Sequence, residues 1–128
     1  MMSFFSGKQK IGILGGGQLG KMLLNTTTKW DIYSKVMDPN MEAPSKTSCN
    51  EFVKGDLMDY QDVYRFGKSV DILTIEIENV NTHALSDLEK EGIKVYPQPN
   101  IIKTIQNKCS QKEFYKKNKI PTAQFKSV

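Results

Sequence analysis

The 128-residue sequence predicts an α/β protein built on an open parallel sheet, and three observations carry this prediction. An apolar run over residues 10–14 leads directly into a glycine-rich turn, Gly15-Gly16-Gly17-Gln18-Leu19-Gly20. Short β-prone segments then alternate with segments of helical periodicity. The connections are long enough for parallel pairing. The predicted order is β-α-β-β-α-β-α-β, which is a Rossmann-like arrangement.

Five strands and three helices are predicted within the first 99 residues. The strands cover residues 10–14, 32–37, 51–54, 70–77 and 94–96. The helices cover residues 18–29, the segment between Asp59 as N-cap and Gly67 as the residue after the helix, and residues 82–91. Asp38-Pro39 and Pro97 end two of the strands, because proline has no N–H to donate to a sheet. The spacing predicts that the core-facing side chains of the first helix are Leu19, Met22 and Leu23.

The chain changes character after residue 99. Residues 1–9 show no periodicity, and we expect a disordered leader there. Residues 10–99 form the predicted Rossmann-like domain. Two helices are predicted over 100–106 and 108–118, and a strand over 122–128. Because a strand needs a neighbour, we expect this last segment to open a second domain that the chain lacks.

Charge is distributed unevenly around a net charge of +4. Residues 1–100 carry 11 Lys and Arg against 13 Asp and Glu, whereas residues 101–128 carry seven Lys and one Glu. A basic terminus is common in nucleic-acid-binding proteins, but this one has no Arg and no recognised motif, so no nucleic-acid partner is predicted. No apolar run approaches the ~20 residues of a membrane span. Cys49 and Cys109, far apart and outside any CxxC pattern, indicate a reduced cytoplasmic protein without a metal site.

Candidate binding residues follow three of the predicted strands, at the edge where open parallel sheets bind ligands. The glycine turn follows the first strand, Asp38 the second, and Glu76 to Asn79 the fourth. Such a turn lets backbone N–H groups and a helix N-terminus approach a ligand. Glu76 and Glu78 alternate along the predicted strand, so we expect them on one side of it. Two like charges there are costly unless they meet a ligand, water or cations.

A non-catalytic Rossmann module that binds the nicotinamide dinucleotide NAD is an open alternative. Gly15, Gly17 and Gly20 satisfy G-x-G-x-x-G, and Asp38 follows 18 residues later. A dehydrogenase would also need an acid/base residue and a substrate domain. His83, the only histidine, lies at a predicted helix start, and no Ser-His-Asp, Cys-His or metal-ligand set can be assembled. The sequence therefore predicts a binding domain without a catalytic half.

Several motifs, taken in order, resemble one enzyme family. They are residues 15–24, Asp38-Pro39 with Ala43-Pro44, residues 74–80 (TIEIENV), Pro97 and Pro99, residues 106–112 (QNKCSQK) and residues 120–123 (IPTA). Together they resemble the N-terminal part of the N5-carboxyaminoimidazole ribonucleotide synthetases, the PurK-type ATPase subunits of phosphoribosylaminoimidazole carboxylase in the ATP-grasp superfamily. The combination of G-x-G-Q-L-G with E-x-E-N is far rarer than G-x-G-x-x-G alone. The resemblance implies a pre-ATP-grasp domain over 10–99 and the start of an ATP-grasp domain after it.

The resemblance also implies a reaction. ATP would phosphorylate bicarbonate to carboxyphosphate, and the exocyclic amine of 5-aminoimidazole ribonucleotide would take up the carboxyl group in de novo purine synthesis. ATP and Mg²⁺ would be bound mainly by a part that this chain lacks, so the isolated chain would be inactive. A homodimer is implied for the full-length enzyme. The alternative within the superfamily is the formate-dependent glycinamide ribonucleotide transformylase, which carries Glu where this chain has Gln18.

Particular residues are assigned by the same resemblance. Substrate would be bound by Gly17, Gln18, Leu19 and Glu76, with Glu76 accepting hydrogen bonds from ribose hydroxyls. The substrate loop would be supported by Asp38, Glu78 and Asn79. Lys108 would reach the ATP phosphates. Relatives usually carry Arg at that position, so this chain keeps the charge and loses the two-pronged guanidinium.

Overall fold

A computed structural model describes residues 7–126, which form one five-stranded sheet with helices on both faces. The strands are β1 (Ile11–Leu14), β2 (Ser34–Asp38), β3 (Glu51–Lys54), β4 (Ile72–Ile75) and β5 (Lys94–Tyr96). The helices are α1 (Gln18–Lys29), α2 (Tyr60–Gly67), α3 (Thr82–Lys90), α4 (Pro99–Gln106) and α5 (Lys108–Lys117), with a 3₁₀ turn at Pro44–Thr47. The predicted α/β class and order of elements are confirmed. Part of the predicted leader, residues 1–6, lies outside the described residues.

The sheet is parallel throughout, and its strand order is β3-β2-β1-β4-β5. The central strand β1 ends with Leu14, which lies opposite Met37 of β2 on one side and Ile75 of β4 on the other. The chain therefore builds one half of the sheet outward from β1 and then returns to build the other half. Crevices at the carboxyl ends of such diverging strands are where open sheets bind ligands.

Two apolar layers cover the two faces of the sheet. The larger joins the sheet to α2, α3 and α4, and its fully buried members include Leu14, Val63, Leu73, Leu85, Leu88 and Ile102. The smaller joins it to α1 through Ile13, Leu24 and Val36. Because both faces are covered, β1 consists of apolar residues and glycine without alternation, as is typical of buried parallel strands.

The prediction for the core face of α1 is wrong. Leu19 and Met22 are 65% and 63% exposed, and Leu23 is also exposed, whereas Gly20, Leu24 and Thr27 are buried. The cause is the close approach of α1 to the glycine turn. A Cβ atom at Gly20 would lie only 3.0 Å from the carbonyl oxygen of Gly15, so position 20 and the positions one and two turns later face inward.

Strand β4 is shorter than the predicted segment 70–77. Its neighbour β1 ends at Leu14, which lies opposite Ile75, so the pairing of β4 ends there. The last hydrogen bond across β1 and β4 is donated by Glu76 N to Leu14 O at 2.8 Å. Residues 76–78 then bend, so the expectation that Glu76 and Glu78 alternate along one strand does not hold. The second strand is likewise shifted to 34–38.

Helices α2 and α3 pack closely against each other. The side chain of Asp59 caps α2 by accepting a hydrogen bond from Asp62 N at 2.8 Å, as predicted. Gly67 was expected after the helix, but it is the last residue of α2. A Cβ atom at Gly67 would collide with the Leu88 side chain on α3, so this glycine permits the close packing of the two helices.

The C-terminal part of the described chain is far less buried. Ile102 of α4 is fully buried, but no residue of α5 is. The predicted strand over 122–128 is wrong for residues 122–126, which form no strand in the described structure, and residues 127–128 lie outside it. A strand needs a neighbour, and these residues pair with none of β1 to β5. Among residues 7–126, no helix combines the length and apolar character that a membrane crossing requires.

Candidate functional site

The glycine turn encloses a carboxylate. Gly15 has a φ of 99°, which favours glycine, and its N–H donates to Met37 O at 2.9 Å. A Cβ atom at Gly15 would lie 2.7 Å from Glu76 Oε2, and one at Gly17 would lie 2.8 Å from Oε1. Both glycines are therefore needed for the Glu76 carboxylate to lie against the backbone of the turn.

The Glu76 side chain is half-buried and accepts no hydrogen bond from any residue that the structure describes. Its two oxygens keep their full accepting capacity. Gly17, the N-cap of α1, makes no side-chain capping bond, so the first N–H groups of that helix also lack a side-chain acceptor. An acceptor pair and a set of backbone donors thus lie side by side at the end of β1. This combination suits a ligand that has hydroxyl groups and an anionic group.

Asp38 supports the turn. Its Oδ2 accepts from Gly16 N at 2.7 Å, and its Oδ1 accepts from Asn40 N at 2.8 Å. A dinucleotide site needs the corresponding carboxylate to hold a ribose hydroxyl, but here both oxygens are engaged by the backbone. The nicotinamide-dinucleotide alternative is therefore disfavoured, and Asp38 hydrogen-bonds the backbone of the turn and of the residue after Pro39 instead.

The loop over residues 40–47 packs onto the same turn. Ser45 is fully buried; its N–H donates to Gly16 O at 2.9 Å and its hydroxyl to Gly17 O at 3.3 Å. Ala43 is 6% exposed, and its Cβ lies 3.1 Å from where a Cβ of Gly16 would be. These contacts fix the turn from the β2 side, while Glu76 lies against it from the β4 side.

The segment after β4 meets the junction between α4 and α5. Gln106 Nε2 donates to Glu78 O at 2.7 Å and to Val80 O at 2.8 Å. Lys108 Nζ lies 4.0 Å from Glu78 Oε1, and the Lys108 side chain is 71% exposed. Asn79 is also exposed. Glu76 therefore lies against the glycine turn, whereas Glu78 lies beside Lys108.

Most of the predicted site residues are brought to one edge of the sheet. Gly17, Glu76 and Asp38 meet at the turn, and Gln18 begins α1 there with its side chain exposed. Leu19 follows on the exposed surface. Lys108 reaches this edge only through Glu78. Gln106 was not among the site residues predicted from the sequence, and the signal that could have found it was its place in the motif at 106–112.

Two other features bear on ligand binding. Among the described residues, no group of three or more His, Cys, Asp or Glu side chains could hold a metal ion. A wide groove of about 820 Å³ lies between α5 and residues 119–126, lined by Glu113, Lys116, Pro121 and Phe125 among others. It contains none of the predicted site residues, and its open shape reflects the sparse packing of the C-terminal part.

Comparison with known proteins gives a consistent result. Residues 8–106 match the family model for the ribonucleotide synthetase preATP-grasp domain. The phosphoribosylaminoimidazole carboxylase of Candida glabrata is 36% identical over 114 residues, which are 87% of this chain and 20% of that protein. The chain thus spans about a fifth of the length of the curated relatives that it matches.

Solved structures agree. The N5-carboxyaminoimidazole ribonucleotide synthetase of Thermotoga maritima matches with a TM-score of 0.86 and 38% identity, covering 94% of this chain and 33% of that one. The N5-carboxyaminoimidazole synthase of Aspergillus clavatus, solved with ADP and 5-aminoimidazole ribonucleotide, matches with a TM-score of 0.81 and 37% identity, covering 91% and 31%. Similarity therefore extends over nearly the whole described chain.

Proposed function

The chain belongs to the ribonucleotide synthetase preATP-grasp domain family, and from this premise we propose that it is the substrate side of an N5-carboxyaminoimidazole ribonucleotide synthetase. The proposed ligand is 5-aminoimidazole ribonucleotide, held at the glycine turn. The observation that carries this proposal is the Glu76 carboxylate, enclosed by Gly15 and Gly17 and accepting no hydrogen bond from the described protein. Residues 10–99 would be the pre-ATP-grasp domain, and residues from 100 onward would lead into an ATP-grasp domain.

Each part of the ribonucleotide has a proposed partner. Vicinal ribose hydroxyls donate to the two oxygens of Glu76, which is the carboxylate's natural role toward a diol. The phosphate lies near the uncapped N-terminus of α1, where backbone N–H groups and the helix dipole favour an anion. Gln18 and the exposed Leu19 flank the base. The turn thus binds and orients the ribonucleotide without supplying a reacting group of its own.

The proposed reaction uses groups outside this chain. ATP phosphorylates bicarbonate to carboxyphosphate, and the amine of the ribonucleotide then takes up the carboxyl group with release of phosphate. Lys108, at the first position of α5, is the described side chain proposed to reach ATP phosphates. Among the described residues no group of three or more His, Cys, Asp or Glu side chains could hold a metal ion, so Mg²⁺ is assigned no ligand in this chain. No step through the metal is therefore assigned to this chain.

Two further parts of the proposal concern the assembly and the cellular location of the complete enzyme. We propose a homodimer for the complete enzyme, supported by exposed apolar side chains on and just after α1, namely Met22, Leu23 and Trp30. A cytoplasmic location is proposed from the cysteine usage. Sedimentation of the complete enzyme with and without Met22→Lys checks the homodimer proposal. An unchanged mass would show that α1 is not the contact between the subunits.

The proposed function is tested by calorimetric titration of the chain. We expect binding of 5-aminoimidazole ribonucleotide and no binding of NAD at the same concentrations. Glycinamide ribonucleotide, the ligand of the sibling enzyme, serves as the second comparison and should bind more weakly. Sub-millimolar NAD binding without ribonucleotide binding would overturn the proposal.

A pair of substitutions two residues apart locates the ligand. Glu76→Ala should weaken ribonucleotide binding about 10- to 100-fold, since hydrogen bonds to a charged acceptor are worth about 1.5–3 kcal/mol. Glu78→Ala is the matched control and should stay within about threefold of the unchanged chain, because Glu78 faces Lys108. In a complete enzyme, Glu76→Ala should raise KM for the ribonucleotide and leave KM for ATP nearly unchanged. Equal effects of the two variants on binding would contradict the assignment of Glu76.

A further inference from the structure

One glutamine side chain holds the loop that carries Glu76. The Nε2 atom of Gln106, the last residue of α4, donates to Glu78 O at 2.7 Å and to Val80 O at 2.8 Å. Glu78 O also accepts from Val80 N at 2.9 Å. The amide therefore closes over a tight bend of three residues, and it contacts that bend through backbone carbonyls only.

This bend lies in a gap between two other anchors. Before it, Glu76 N donates to Leu14 O at 2.8 Å as the sheet ends. After it, Asn81 donates to Leu57 O from its backbone at 2.8 Å and to Met58 O from its side chain at 2.9 Å. Ile77 and Asn79 are exposed. Within the described chain, Gln106 is the side chain that secures the bend by hydrogen bonds between those two anchors.

The same glutamine lies two residues before the first residue of α5. Asn107 follows it and caps α5, its Oδ1 accepting from Ser110 N at 3.0 Å. Lys108 comes next, with Nζ 4.0 Å from Glu78 Oε1. The contact of Gln106 with the bend therefore brings the first turn of α5 next to the segment that carries Glu76.

We propose that Gln106 is a positioning residue for ribonucleotide binding, which holds the Glu76 carboxylate against the glycine turn and aligns it with Lys108. This inference rests on the proposed function. A primary amide is the neutral side chain that offers two N–H groups on one nitrogen, so it can serve two carbonyl oxygens at once. Glutamate has the same length but would place a negative charge against both carbonyls. Methionine fills a similar volume and donates nothing.

The test compares Gln106→Met with Gln61→Met. Gln61 is exposed on α2 and makes no side-chain hydrogen bond to a described residue, so it controls for the loss of a surface amide. Titration with 5-aminoimidazole ribonucleotide is carried out well below the thermal midpoint of each variant. We expect Gln106→Met to weaken binding about tenfold, as the loss of two neutral hydrogen bonds implies, and Gln61→Met to change it by less than about twofold.

Hydrogen exchange supplies a readout that separates positioning from general stability. In Gln106→Met, the Val80 amide should exchange at least about tenfold faster while amides of β1 keep their rates. Uniformly faster exchange with unchanged affinity would show a structural role only and overturn the inference. If Gln106→Met does not fold, Gln106→Lys, which retains several donors, replaces it and should keep most of the affinity.

The outcomes distinguish this inference from the proposed function. Failure of the unchanged chain to bind the ribonucleotide would contradict the proposed function, and the Val80 exchange rate would still report whether Gln106 holds the bend. Normal binding by the unchanged chain with equal affinity in Gln106→Met would overturn the positioning role alone.

Discussion

The sheet with its covering helices, residues 10–106, and the C-terminal part that follows, residues 107–126, are stabilised by different interactions. In the first, helix α3 buries Ala84, Leu85 and Leu88 against the sheet. In the second, α5 has a similar length and no buried residue. The first part therefore owes its stability to apolar burial, whereas α5 is held by polar contacts such as the Asn107 cap and the hydrogen bond from Lys112 Nζ to Thr122 Oγ1 at 2.6 Å.

Charge adds to the contrast. Helix α5 carries Lys108, Lys112 and Lys116 at four-residue spacing, and such like charges destabilise a helix. Helix α3 instead lies beside a network in which Tyr64 and Lys68 both donate hydrogen bonds to the carboxylate of Glu91. The two parts therefore differ in how rigid a binding site each can hold. Glu76 and the glycine turn belong to the well-packed part, and Lys108 belongs to the loosely packed one.

Hydrogen exchange should show the largest difference between the two parts. Amides of β1 and β4 should exchange only through global unfolding, which costs about 5–15 kcal/mol in ordinary domains. Amides of α5 should exchange through local opening at a small fraction of that cost. Because Ile102 is fully buried, we expect the boundary near residue 107. Equal protection on both sides would mean that α5 is covered, for instance by a second copy of the chain.

Truncation of one large apolar side chain in each part should give the next largest difference. Leu85→Ala removes a fully buried side chain and should lower the free energy of unfolding by about 2–5 kcal/mol. Phe114→Ala in α5, where the ring is 45% exposed, should cost less than about 1 kcal/mol. Urea unfolding followed by circular dichroism measures both. A comparable loss in the two variants would show that the two parts are packed equally well.

Removal of a helix cap should act globally in one part and locally in the other. Asn81 caps α3 and Asn107 caps α5, each through its side-chain oxygen. Loss of such a cap costs about 0.5–2 kcal/mol. Asn81→Ala should lower the unfolding midpoint, whereas Asn107→Ala should reduce helical ellipticity and leave the midpoint unchanged. A lower midpoint in Asn107→Ala would show that α5 unfolds together with the sheet.

The smallest predicted effect is a pH dependence within the well-packed part. Hydrogen bonds from Lys68 and then Tyr64 lower the pKa of Glu91 below its ordinary value. A carboxylate with a lowered pKa in the folded state stabilises that state above its unfolded pKa, and the contribution is lost as pH falls through the folded value. Glu91→Gln should therefore be slightly less stable than the unchanged chain at about pH 7, and the gap should close below about pH 4.

Glu89→Gln provides the control for this pH series. Glu89 lies on α3, two residues before Glu91, is exposed, and makes no side-chain hydrogen bond or ion pair with a described residue. The same substitution there controls for the loss of a surface carboxylate that lacks the two hydrogen bonds of Glu91. A gap for Glu91→Gln that widened on acidification would contradict the predicted direction of the pH dependence.

Sequence patterns predicted the well-packed part better than the other. Strands and helices up to residue 99 follow from apolar runs, Asp59 as a cap, and prolines that end strands. The buried face of α1 could not be predicted from the spacing of apolar residues. It is set by the close approach of Gly20 to the backbone of Gly15. The end of β4 depends on where its neighbour strands end, and the residues of β4 themselves do not predict that position.

The candidate site shows the same division. Its carboxylates and glycines were predictable, because polar residues after buried strands mark the ligand-binding edge of an open sheet. Gln106 was missed, because hydrogen bonds to residues 28 and 26 positions away leave no periodic signal and its place in the motif at 106–112 was the one indication of a role. The expected strand at 122–128 failed because its prediction used β-propensity without a partner.

The proposed ribonucleotide position, between the glycine turn and Glu76, is open to direct observation by a backbone amide NMR titration. Addition of 5-aminoimidazole ribonucleotide should shift the amides of Gly16 to Leu19 and of Glu76 to Val80, with little change in α5. Addition of NAD should leave the resonances of the same amides unshifted. Ribonucleotide shifts confined to residues 108–126, or saturable NAD shifts at the glycine turn, would contradict this placement of the ligand.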